Sequence, residues 1–573
     1  MKAGFVALAL ALLASACGES RPRRSVLLVT LDTTRADALG CYGSKPAVTP
    51  QLDALAAEGV CFLNARTVTP ATLPAHASML TGLYPVRHRV RDNGLNALPR
   101  AATSVAELAQ SHGLQTAAFV SAAVLDRAFG LDQGFVTYTQ PPRESDVVGQ
   151  TGYTSVRADE TAAAARDWLT KLDGDADFFL WVHFFDPHRP WVADPRFLER
   201  AGGNPYLAEV AATDAAVGTL IETLRTSGRL ATTTVLVVGD HGEGLGEHGE
   251  DAHAWCVYDS TMRVPFLLRR FDGQRKSERA SLAVTVADVA PTLLDALALP
   301  QLEGVDGMSL WNPIDGERGV YFESYYAYLH YGMAPLVGWA DERGKLIHTS
   351  VPELYDIATD PGETRNRLPE DAAAAQERLV RIREVLARPT LEAGEDVTAD
   401  AELLRSVQSL GYAASGSVDA FPDPLESSSR PSPHSQVLQL RSCDAAEVLF
   451  TIGRIADAAK AFERIVADNP RNSFALEYLG HCRFRLGDWP GARESFERAL
   501  EHGPERAAIL RALGFVLQRL GDKDAARTRW TRSAELDPRD TETLQFLLQD
   551  ALELGDAAAE ARWRAALRAA AKR

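Results

Sequence analysis

The sequence predicts an α/β domain on a mostly parallel sheet sandwiched by helices, then a small antiparallel subdomain, then an all-α repeat array. Three observations predict it. Residues 24–300 alternate apolar runs with helical patterns. Three of the runs end on residues able to hold a metal or a proton: Ser25–Leu31 on Asp32, Phe178–Phe185 on Asp186 and His188, and Thr234–Val238 on Asp240 and His241. Beyond residue 437, glycines recur at 453, 487, 521 and 555, a constant step of 34.

The chain opens on a signal pattern. Lys2 supplies charge, Gly4 to Ala14 form an apolar core too short to span a bilayer, and Ala14-Ser15-Ala16 fits small-x-small cleavage. Cys17 follows at once, and Leu13–Cys17 resembles a bacterial lipobox with its Leu one residue further from the Cys than usual. Residues 1–16 are therefore expected to direct export to the periplasm or outer membrane, with Cys17 as a lipid anchor. Ordinary cleavage after Ala16 and a free protein is the alternative.

Residues 24–300 form the predicted catalytic domain. Runs as apolar as SVLLVTL and FFLWVHFF suit strands buried on both faces. In open α/β sheets, ligands bind beyond the C-terminal strand ends, where these Asp and His residues fall. Residues 301–395 contain the short runs Val320–Glu323, Lys345–Ile347 and Glu353–Asp356, a smaller antiparallel subdomain. Residues 396–436 turn polar, and FPDPLESSSRPSPHS at 421–435 reads as a linker. The array takes 437–573. Prolines 470, 504 and 538 keep its step, as do Ala458, Ala492, Ala526 and the aromatics Phe462, Phe496, Trp530. This period resembles tetratricopeptide repeats, three of them with a closing segment, 554–571, in which Glu560 replaces the small residue. The resemblance implies a concave surface for a protein partner; a spacer is the plainer reading.

Composition narrows the function classes. The 573 residues are 24% charged, with 60 Lys and Arg against 77 Asp and Glu, a formal charge of −17. That balance argues against a nucleic-acid partner. Six scattered cysteines make neither a disulfide scaffold nor a CxxC zinc site.

The residues themselves suggest a metal site. Five of the thirteen histidines lie between 183 and 253: His183, His188, His241, His248 and His253. An Asp32, Asp240, His241 set mixes oxygen with imidazole nitrogen, which suits Mn or Zn better than Ca. For His183 and His248 a satisfied polar contact is the expected role. Tyr206, Glu209 and Asp214 fall on an amphipathic helix, where a structural role is expected.

Ordered motifs then carry a resemblance over roughly residues 24–412. They are LLVTLDTTRAD at 27–37, TLPAHASMLTGLYP at 72–85, DHGEG at 240–244, ELYD at 353–356 and DPGE at 360–363. In that order they resemble the sulfatase branch of the alkaline phosphatase superfamily. Sulfatases carry Cys or Ser in C-x-P-x-R and oxidise it to formylglycine. Here the segment is Thr72-Leu73-Pro74-Ala75-His76, and threonine cannot give that aldehyde. A second aspartate usual in the family is Thr33, and the last ligand, often Asn, is His241. These departures point toward phosphate mono- or diester hydrolysis through a Thr nucleophile.

The resemblance implies one divalent ion on Asp32, Thr72, Asp240 and His241, with Thr72 at the start of a helix over 74–80. It implies Asn93, His188 and His253 around the ester, with either histidine as acid. A second ion on Asp186, His188 and His253 is the open alternative, as is an Asp186 that merely orients His188. His76 is read as a supporting residue. Sulfate-ester hydrolysis and an inactive scaffold are the competing functions. The substrate is a small-molecule, glycan or lipid ester, its specificity expected from 140–160 and 323–340.

Overall fold

The computed structural model describes residues 24–142, 155–174, 176–392, 403, 407 and 421–570. The signal at 1–16, Cys17 and much of 140–160 and 396–436 lie outside the described residues.

The large sheet has eight strands: β1 Ser25–Leu31, β2 Val60–Arg66, β3 Gln115–Phe119, β4 Thr137–Thr139, β5 Phe178–Phe184, β6 Thr233–Gly239, β7 Phe266–Arg269 and β8 Glu278–Thr285. Their order is β4-β3-β5-β1-β6-β7-β2-β8, and every pair is parallel except those made by β7. The three apolar runs are the central strands, buried along their whole length. Alternation along β1 shows why it must be apolar throughout. Val26 and Leu28 enter the core shared with Leu73 and Ala77; Leu27, Val29 and Leu31 enter the opposite core with Val217 and Leu220. Each such side chain contributes about 1.5–3 kcal/mol by leaving water.

Register places the strand ends together. Leu31 pairs with Gly239 on one side and Phe184 on the other, so Asp32 and Asp240 leave the sheet side by side.

Residues 319–355 form a four-stranded antiparallel sheet, ordered β12-β11-β10-β9, from β9 Gly319–Ser324, β10 Leu336–Asp341, β11 Lys345–His348 and β12 Glu353–Tyr355. A buried charge network joins it to the large sheet. Arg66 grips Asp259 at 2.6 Å, and Lys345 Nζ lies 2.8 Å from both Asp259 and Glu363. The DPGE motif thus supplies a buried acid to this junction.

The array is four helix pairs between Val437 and Ala570. The glycines at step 34 are the turns within the pairs, all at positive φ, from 70° to 87°. A side chain there would be strained, which accounts for the period. The closing segment is the second helix of a complete fourth pair, Thr541–Leu554 with Ala557–Ala570. Glu560, where the other pairs carry a small residue, forms an ion pair with Arg564 at 2.7 Å.

Candidate active site

The helix carrying Thr72 spans Thr72–Thr81, two residues earlier than the proline suggests. Its N-cap, Ala71, offers no side-chain acceptor. Asn93 serves instead: its Oδ1 accepts the Leu73 N–H at 2.8 Å. A cap twenty residues along the chain leaves no local signal. Thr72 is thereby held at a helix N-terminus, where donors and the helix dipole favour negative charge.

Thr72 Oγ1 lies 3.4 Å from Asp32 Oδ2 and 3.3 Å from His241 Nε2. His241 Nδ1 donates to the Gly242 carbonyl at 2.9 Å, so in the neutral ring Nε2 is the lone-pair nitrogen facing the carboxylates. Asp32 Oδ1 and Asp240 Oδ2 are buried without a hydrogen-bond partner among the described residues. Burial pushes the Asp32 carboxyl up to about 8 and Asp240 well above its usual range, with each aspartate's negative neighbour adding to the rise. Two orphaned buried acids and an aimed imidazole nitrogen, all within 4.8 Å, fit a divalent cation.

The structure also groups His76, His183 and Asp240. Those rings are already engaged. His76 Nδ1 donates to the Thr72 carbonyl at 2.7 Å. His183 Nδ1 accepts the Ser121 N–H at 3.3 Å, so Nε2 carries the proton given to Asp32 Oδ2 at 3.1 Å. Burial lowers the His183 pKa to about 3, keeping the ring neutral.

His253 and His188 adjoin the cluster. The His253 ring is 4.4 Å from that of His241 and 5.0 Å from that of His188. His253 Nδ1 donates to Glu243 Oε1 at 3.0 Å. His188 Nδ1 donates to the Arg189 carbonyl, and its ring stacks on Phe185 at 4.4 Å. Asp186 lies 3.6 Å from Arg157, and Asp186, His188 and His253 do not form a donor set among the described residues. Asn93 Nδ2 is buried with no partner among the described residues, a donor in reserve beside Thr72.

Tyr206 braces the turn after β1: its hydroxyl donates to the Thr33 carbonyl and accepts the Arg35 N–H, both at 2.9 Å. Thr33 holds φ 48°, and its N–H reaches Asp240 Oδ1 at 3.2 Å. Glu209 accepts the Val192 N–H, and Asp214 accepts those of Gln51 and Leu52. His248 stacks on Tyr258 at 3.6 Å, away from the cluster.

Comparison with known proteins decides the family of this domain. The sulfatase family model matches residues 24–299, and the C-terminal model of N-sulphoglucosamine sulphohydrolase matches 246–387. Residues 24–299 are a sulfatase-family domain. Tetratricopeptide-repeat models match 443–507 and 483–541. An uncharacterised sulfatase of Escherichia coli, YidJ, is 25% identical over 417 residues, 60% of this chain and 83% of its own. Human arylsulfatase A is 27% identical over 453 residues, 65% of this chain and 89% of its own. The fold is shared with a phosphonate monoester hydrolase of Agrobacterium radiobacter, at TM-score 0.55 and 22% identity over 64% of this chain and 96% of that one.

The sulfatase-family domain makes this chain a hydrolase of that superfamily, and its acid and histidine cluster fits the metal dependence of the family. Two side chains important to its site escaped the sequence reading. Glu243, inside DHGEG, sets the His253 ring; Glu250 accepts the N–H groups of Trp255 and Cys256, each at 3.1 Å. An acid sharing a motif with a candidate ligand, or three residues before a histidine, was the available signal.

Proposed function

We propose that the chain is an exported, metal-dependent hydrolase of phosphate mono- or diesters that uses Thr72 as its nucleophile. The observation that carries this reading is the threonine itself. It stands where formylglycine chemistry needs an oxidisable residue, and its hydroxyl lies within 3.4 Å of Asp32 and His241.

A divalent ion on Asp32, Asp240, His241 and Thr72 would supply the positive charge that favours the Thr72 alkoxide and offsets the phosphoryl oxygens. Thr72 Oγ1 forms the bond to phosphorus as the ester oxygen opposite leaves. His253 Nε2 gives that oxygen its proton, a role contributing about 10²–10⁴-fold, whereas His188, held neutral by burial that lowers its pKa to about 3 and carrying its proton on Nδ1, has none on Nε2 to give. Asn93 Nδ2 donates to a non-bridging oxygen. Water then cleaves the phosphothreonine, and the same imidazole takes its proton. A threonyl sulfate has no aldehyde to re-form, which disfavours sulfate turnover. The signal pattern and Cys17 support a periplasmic or outer-membrane site for this chemistry, and the repeats support a protein partner.

The test is purified protein with Mn or Zn on aryl phosphate diester, monoester and sulfate, beside Thr72→Ala. Phosphate turnover that Thr72→Ala abolishes is expected. Turnover of sulfate alone, the activity named for the curated relatives, would overturn the reading.

A further inference from the structure

The repeat array does not hang from the catalytic unit by a tether. Its first two helix pairs close over the short helix Tyr326–Tyr331 and over Trp255. Ser473 Oγ is 2.8 Å from the His330 carbonyl and 3.2 Å from that of Leu329, and Asn469 Nδ2 donates to the Tyr331 carbonyl at 2.8 Å. These are the terminal carbonyls of a helix that has no later turn to satisfy them. A Cβ on Gly332 would meet the Arg471 carbonyl oxygen at 2.0 Å, so the two parts touch backbone to backbone.

Two routes run from this dock to the site. On the first, His330 Nε2 donates to Asp92 Oδ2 at 2.6 Å, both side chains buried. Asp92 precedes Asn93, whose Oδ1 holds Leu73 N–H and whose Nδ2 waits beside Thr72. On the second, Trp255 Nε1 donates to the Pro433 carbonyl at 2.9 Å. Its ring packs on Tyr331 at 4.6 Å, and Tyr331 stacks on Phe474 of the array at 5.4 Å. Trp255 lies two residues after His253. Thus Asn93 and His253, two of the groups assigned to the ester oxygens, lie one and two residues from anchors held by the dock.

The segment carrying Asn93 has no regular structure of its own at that residue. Side chains fix it: Arg91 to Glu323 at 2.6 Å, and Asp92 to His330. A donor serving the transition state must be placed closely, and a misplacement of about 1 Å can cost about 10²-fold. We propose that the first repeat helices are a positioning element of the catalytic site, holding Asn93 through His330 and Asp92, and His253 through Trp255. Loosening the dock then lowers turnover. This inference rests on the reading of Asn93 and His253 as ester-facing groups.

The test uses the full chain loaded with Mn. His330→Ala, and separately the pair Ser473→Ala with Asn469→Ala, are expected to lower kcat about ten- to hundredfold with little change in KM, since the lost contacts act in the transition state. His330→Gln, which returns a donor to Asp92, is expected to recover most of the loss. Hydrogen exchange at the Leu73 amide gives a readout that needs no substrate. It is expected to accelerate at least about tenfold in His330→Ala and to return with His330→Gln, because that amide is held by Asn93. If His330→Ala does not fold, the Ser473 and Asn469 pair decides by the same two measurements. A Leu73 amide as protected as in the wild type, or activity lost only in step with unfolded protein, overturns the inference. Wild-type protein inert on phosphate esters would sink the proposed function instead, and the exchange rates would still decide the positioning.

Discussion

His76 Nδ1 donates to the Thr72 carbonyl one helical turn back, at 2.7 Å, and Nε2 faces the Thr30 hydroxyl at 3.0 Å. That hydroxyl oxygen accepts from Trp181 Nε1 at 2.9 Å, leaving its own proton for the ring. Burial pushes the His76 pKa well below the usual histidine range. The residue at the sulfatase arginine position is therefore a neutral brace behind Thr72. His76→Ala should cost about 2–4 kcal/mol, by cavity and by a lost buried hydrogen bond. His76→Arg should destabilise further, by forcing a longer side chain into a fully buried site, and should not raise sulfate turnover. Thermal melts and ester assays of both variants check this.

Thr72→Ala should drop turnover by about 10⁴ or more with the metal still bound, since removal of a nucleophile leaves only binding and charge stabilisation. Thr72→Ser keeps the hydroxyl and should retain measurable activity. Intact-mass measurement after rapid quench should find a phosphoryl group on wild type and none on Thr72→Ala.

Glu243→Gln weakens the acceptor that sets the His253 ring. Proton transfer to the leaving oxygen should suffer most, about 10–10²-fold, and most for poor leaving groups. A steeper dependence of kcat/KM on leaving-group pKa is the diagnostic.

Glu250 is buried, which pushes its carboxyl up to about 8. A carboxyl raised by folding binds more protons in the native state than in the unfolded one between its unfolded value, about 4.3, and about 8. Its contribution to stability is present below that window and is lost as pH rises through it. Glu250→Gln should flatten the decline between pH 5 and 8, measured by urea unfolding at fixed ionic strength.

Lys345→Met would leave Asp259 and Glu363 facing each other without the ammonium between them. Breaking a buried pair from one side costs about 3–5 kcal/mol. Replacing Lys345 and Glu363 together, by Met and Gln, should recover part of the loss in the same melts.

Much of this architecture is legible in the sequence. Strands buried on both faces announce themselves by unbroken apolar runs, and polar residues ending three of them marked one edge. The period of 34 declared the array because a left-handed turn admits little but glycine. Other features were invisible because their partners are remote in sequence. Asn93 caps a helix twenty residues away, and His330 reaches across 238 residues to Asp92. The histidines divided by neighbourhood rather than spacing: His183 braces Asp32, while His253 pairs with Glu243 beside the rings of His241 and His188. The polar stretch before residue 437 read as a tether, yet Pro433 is anchored on Trp255, because composition reports solubility and not docking.

One apolar interior runs from Trp255 and Phe322 through Tyr331 to Trp563, without a seam between catalytic unit and repeats. Synthesis proceeds from the N-terminus, so the first four hundred residues emerge long before the helices that complete this interior. Until those helices arrive, the nascent enzyme carries an uncovered aromatic face. Chains cut short at the polar stretch should therefore be recovered as aggregates or with chaperones attached, rather than as a smaller working enzyme.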